Sequence, residues 1–123
     1  MQLLFYSRRD GKNRKRLEAA VHKVIPIRHI ELFKSLDDFR ERLRMPIEAE
    51  SIAVLMASDQ EELQEMQLLR WLLTEIYVVL VIPDRKKSTI ELAHLLLPRF
   101  LSQTKDNFIN LGKVLNKIYR TSH

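Results

Sequence analysis

Five short apolar runs alternate with five amphipathic stretches, and this alternation constrains the fold more than any other feature of the chain. Leu3, Leu4, Phe5 and Tyr6 form a run that reads as a buried strand. Leu17, Ala20, Val21 and Val24 follow at helical spacing, with Lys15, Arg16, Glu18 and Lys23 off that face, and Pro26 stops the helix. Residues 28–33 read as a second strand. Arg28, His29 and Glu31 make it polar, as an edge strand would be. Ser35 is placed to cap a helix carrying Leu36, Phe39 and Leu43. Residues 52–57 are apolar throughout and predict a central strand buried on both faces. Ser58-x-x-Glu61 reads as a capping box for a helix running to about Glu75. Its inner stripe is Leu63, Met66, Leu69 and Leu73, widened by Leu68 and Leu72. Tyr77–Ile82 is the most β-prone stretch. Ser88-x-x-Glu91 reads as a second capping box, for a helix with Ile90, Ala93 and Leu97 inward and Pro98 at its end. Residues 99–102 predict a short fifth strand. From about Lys105 a last helix aligns Phe108, Leu111, Leu115 and Ile118.

Strict alternation implies a parallel sheet with right-handed crossovers and helices on both faces. Five such units in 123 residues leave no room for a second domain, so residues 1–123 read as one. Placing the apolar strands centrally and the polar second and short fifth at the edges predicts the order 2-1-3-4-5. That is a flavodoxin-like (βα)5 three-layer sandwich.

Composition narrows the function. Hydrophobic residues make up 46% and charged residues 30%, with 2 Gly and 4 Pro, which excludes disorder and low-complexity sequence. The absence of cysteine excludes disulfide scaffolds, thiolate metal sites and cysteine nucleophiles. The first apolar run is too short for a secretory leader, and no run approaches a membrane span, so a cytoplasmic protein is expected. The net charge of +5 is local: residues 8–16 hold six basic side chains and one acid, and the rest of the chain balances. His22, His29, His94 and His123 lack metal-ligand spacing. No Ser-His-Asp set, P-loop or GxGxxG occurs, so neither an enzyme nor a cofactor or metal site is expected.

In a sheet of this order, ligands bind beyond the carboxyl ends of the strands. The fifth of these ends reads Phe100-Leu101-Ser102-Gln103-Thr104. With the order and length of the elements, it resembles the CheY-like receiver domain of bacterial response regulators, which typically carries aromatic-Leu-x-Lys-Pro there. The resemblance implies an acidic pair after the first strand to hold Mg²⁺, a phosphoacceptor Asp ending the third, a Thr or Ser after the fourth and the Lys after the fifth. Here those positions carry Ser7 and Arg8 (then Arg9), Met56, Ile82 or Pro83, and Gln103. Mg²⁺ wants carboxylate oxygens, and guanidiniums repel it. For unit charges about 4 Å apart the repulsion is roughly 4 kcal/mol at an effective dielectric of about 20, and about twice that for a divalent ion. Asp59 reads as an acid of the helix start rather than a phosphoacceptor. The chain therefore resembles a pseudo-receiver that has lost its phosphorylation site.

Two candidate surfaces remain. Arg8, Arg9, Lys12, Arg14 and Lys15, with Arg85, Lys86 and Lys87 from the fourth strand's loop, could hold an anion, a nucleotide or an acidic partner. The plain alternative is a solvated charge run. The segment Phe5-Tyr6-Ser7…Gly11-x-Asn13 faintly resembles a flavodoxin phosphate loop, but it is poor in hydroxyls and no aromatic pair stands ready to sandwich a flavin. Trp71, Leu92, Leu96 and Phe100, with the last helix, could form a partner or dimer surface. The alternative there is deep helix packing. The expected function is a non-phosphorylatable, receiver-like protein–protein interaction module of two-component signalling. Its partner would be a signalling kinase, an output domain or a second copy. Anion or nucleotide binding through residues 8–16 is the alternative. Nucleic acid is not expected as a partner, because no aromatic-interleaved basic face or reading helix can be named. Nor is a membrane.

Overall fold

The structure, a computed structural model, describes residues 1–121. The strands are β1 (Leu3–Ser7), β2 (Ile30–Phe33), β3 (Ile52–Met56), β4 (Tyr77–Ile82) and β5 (Phe100–Gln103). The helices are α1 (Lys12–His22), α2 (Leu36–Leu43), α3 (Gln60–Gln67), α4 (Lys87–His94) and α5 (Ile109–Thr121). Short 3-10 turns occupy Ile27–His29 and Arg70–Leu73. All pairings are parallel and the order is β2-β1-β3-β4-β5, a flavodoxin-like (βα)5 three-layer sandwich as the apolar alternation predicts.

The period-2 geometry of a strand explains why the central runs are apolar throughout. Leu4, Tyr6, Leu55 and Leu80 face a core built with Phe39 of α2, Leu63 and Met66 of α3 and Ala93 of α4. Leu3, Phe5, Val54 and Val81 face a second core with Leu17 and Val21 of α1 and Leu111, Leu115 and Ile118 of α5. None of the described helices is long and apolar enough to cross a membrane.

Element starts differ from the sequence reading, for identifiable reasons. Asp59, not Ser58, caps α3, its carboxylate accepting the Glu62 N–H at 2.8 Å. α4 begins before the expected box: Asp84 accepts from the Lys86 N–H at 2.9 Å and the Thr89 hydroxyl at 2.7 Å, turning the chain early and leaving Ser88 inside the first turn. The third helix stops at Gln67 and continues only as the 3-10 turn, which leaves Leu68 exposed. Leu97 takes a left-handed φ of 52° that reverses the chain after α4 and throws its side chain outward, so Leu96 fills the inward place. α5 starts at Ile109, because Asp106 closes a turn onto Ser102 and Gln103. Phe108 is buried just before the helix, with φ 63°. Pro26 leads into the 3-10 turn that carries Arg28 and His29, which shortens β2. Ser35 caps α2 as expected, accepting from Asp38 N–H at 3.0 Å.

Candidate functional site

The carboxyl edge of the sheet gathers most of the residues singled out above. Tyr6, near the end of β1, donates its hydroxyl to Glu62 Oε2 at 2.6 Å. The Glu62 carboxylate is fully buried. It also accepts the Ser58 N–H at 2.7 Å and pairs with Arg8 Nε at 3.2 Å. Burial first, then the Glu62 bond and charge, push the Tyr6 hydroxyl well above its ordinary range. Arg8 thus has its charge answered by a buried carboxylate from α3.

The remaining strand-end residues singled out above are Ser7, Met56, Ile82 and Gln103. Ser7 turns its hydroxyl onto Arg9 O at 3.0 Å. Met56 is 8% exposed, and Ile82 is in the core and receives the Thr104 N–H through its carbonyl at 3.0 Å. Gln103 offers its N–H to Asp106 at 2.9 Å. That bond, then one from Ser102, holds the Asp106 carboxyl below its ordinary value. Asp59 lies at the helix start, as read from the sequence, and takes the capping role expected of Ser58. Asp10, in the β1–α1 loop, is bound by Arg14 and Lys34. Among the described residues no three His, Asp or Glu side chains converge as metal ligands.

The basic segment divides into unlike parts. Arg14 is buried, bonded to Glu18 at 2.7 Å, Asp10 at 3.0 Å and Ser7 O at 3.4 Å. Arg9 lies 3.8 Å from Asp59. Arg16 reaches across to the β5–α5 loop, donating to Thr104 O at 3.0 Å and to Asp106 O, and its guanidinium lies 4.9 Å from the Phe108 ring. Between the β1–α1 and β5–α5 loops lies a cavity of about 700 Å³. Arg9, Lys12, Arg16 and Lys105 line it, above a floor that includes Met56 and Pro83. No aromatic ring lines it, so it lacks the walls a flavin ring would stack on. Arg8 is not among its lining residues. Arg85 leans instead toward Asp106 at 3.7 Å, beside a second, smaller cavity, and Lys86 sits at the start of α4 away from both. Sequence reasoning covered Arg16 only as part of residues 8–16, without singling it out, and missed Lys105. The rule that ligands gather at strand ends could have found Lys105, which follows β5 by two residues. Arg16 carried no such signal.

The candidate partner surface also divides. Trp71 is 73% exposed, with the Arg70 guanidinium 4.9 Å from its ring. Leu92 and Phe100 are half-buried. Leu96, expected at the surface, is 4% exposed and belongs to the core, because the reversal at Leu97 turns it inward. Leu68, expected to widen the inner stripe, and Leu97, expected inward, are surface residues instead, and Leu95 is exposed as well. His22 lies in α1, His94 in α4 and His29 in a 3-10 turn, while His123 lies outside the described residues. Three kinds of comparison, with protein-family models, with curated proteins and with solved structures, return no match to this chain.

Proposed function

We propose that this chain is a receiver-like domain without phosphotransfer, acting as a cytoplasmic protein–protein interaction module in bacterial signalling. The observation that carries the reading is the residue set at the ends of β1 and β3. On this reading Ser7, Arg8 and Met56 stand where a receiver would set its carboxylates, and the Arg8–Glu62 pair would hold a cation where magnesium would otherwise bind. A thioether cannot form an acyl phosphate, and a guanidinium opposes magnesium. Without an acyl-phosphate switch, the domain works by presenting a fixed surface. Trp71, with exposed Leu68, supplies the large apolar contact area on which docking residues rely. On this reading the protein is a binding module, not an enzyme.

The test is incubation with acetyl phosphate and Mg²⁺, read by intact mass. The expected result is an unchanged mass and, with beryllofluoride, unchanged Trp71 fluorescence. A phosphoryl adduct on Asp59 or Asp10 would overturn the reading.

A further inference from the structure

We propose that the cavity between the β1–α1 and β5–α5 loops binds a small organic phosphate without a divalent metal ion. The proposal stands on the balance of charge around the cavity, and it is independent of the docking role. Lys12, Arg16 and Lys105 line the cavity, and among the described residues none of the three pairs with a carboxylate; the other charged lining residues, Arg9, Asp10 and Arg14, are all paired, Arg9 with Asp59 and Asp10 with Arg14 and Lys34. The neighbouring cations differ in this respect. Arg8 is answered by Glu62, and Arg14 by Asp10 and Glu18. Three like charges facing one concave space repel one another unless an anion enters between them.

Arg16 is the fixed member of the set. Bonds to Asn13 Oδ1, Thr104 O and Asp106 O engage three of its five N–H donors, and the Phe108 ring lies beside it. Its acceptors are neutral, so they orient the guanidinium without cancelling its charge. Such a preset donor loses little freedom when a ligand arrives. Lys12 and Lys105 are flexible point charges on either side of it, suited to oxygens whose exact placement varies. A single carboxylate would leave most of this charge unanswered. A phosphate brings up to two charges and three oxygens. The volume suits a ligand larger than phosphate alone, and Met56 and Pro83 offer its organic part an apolar floor.

The experiment is an amide NMR titration of the whole chain, in EDTA at about 0.1 M salt, with ribose 5-phosphate, inorganic pyrophosphate and ribose as probes. Saturable shifts are expected at residues 11–13 and 104–105 with ribose 5-phosphate, weaker or equal shifts with pyrophosphate, and none with ribose. The double variant Lys12→Gln/Lys105→Gln should weaken binding by roughly tenfold or more, while Lys117→Gln on α5 should match the parent chain. Four results would overturn the proposal: no saturable shift with ribose 5-phosphate, a requirement for Mg²⁺, equal weakening by Lys117→Gln, or tighter binding of a polyglutamate peptide than of ribose 5-phosphate. Both lysines are exposed side chains, so the double variant is expected to keep the fold, and its far-ultraviolet dichroism checks this.

Discussion

Arg8 and Arg16 belong to one basic segment, yet the fold gives them opposite surroundings. Arg8 leans on a buried carboxylate, and Glu62 holds Tyr6 and Ser58 with it. Arg16 rests on backbone carbonyls and an aromatic ring. The first arrangement cancels a charge and locks the end of β1. The second positions a charge and leaves it uncancelled. A count of basic residues treats the two alike; what they can bind depends on which kind of acceptor the fold supplies.

The contrast can be broken most sharply at Glu62. Glu62→Ala leaves the Tyr6 hydroxyl and the Ser58 N–H without their acceptor and Arg8 without its counter-charge. It should cost about 3 kcal/mol in urea unfolding. A loss below about 1 kcal/mol would mean that water replaces the carboxylate there. Arg16→Ala comes next. It removes the carbonyl bonds and the contact with Phe108, and should cost about 1–2 kcal/mol in the same measurement. If it cost as much as Glu62→Ala, the distinction between a cancelled and a merely positioned charge would fail.

Asp106 sharpens the comparison through pH. Its carboxyl lies below the ordinary 3.8 because of bonds from Gln103 and Ser102. A depressed carboxyl adds stability above its unfolded pKa and loses it as pH falls through the folded value. Asp106→Asn should therefore be less stable than the parent at neutral pH, by under about 1 kcal/mol given its partial exposure. The gap should narrow under acid, as unfolding midpoints near pH 6 and about pH 3 would show. A constant gap would assign the effect to packing. The smallest change is expected for Arg9→Ala. Its exposed pairing with Asp59 at 3.8 Å is worth less than about 0.5 kcal/mol.

The sheet was legible in the sequence because two-sided burial writes itself as unbroken apolar runs, as at Ile52–Met56 and Tyr77–Ile82. Helix starts were less so, because tertiary contacts chose among adjacent candidates. Tyr6 draws Glu62 inward from 56 residues away, and Ser58 contributes its N–H while Asp59 becomes the cap. Asp84 reaches Thr89 and moves the start of α4 ahead of Ser88. The residues at the carboxyl ends of the strands could be located from the apolar runs alone. The spare charge could not, since neutrality at Arg8 and its absence at Arg16 both rest on partners distant in sequence.

The long reach of Arg16 also has a consequence in time. It joins the first helix to carbonyls 88 and 90 residues further along the chain. A ribosome releases those residues only after β1 to β4 have emerged. Closing contacts so far apart is among the slower steps of folding. The basic cavity therefore exists only once the β5–α5 loop has been made, and until then Arg16 of the first helix lacks the carbonyls that orient it.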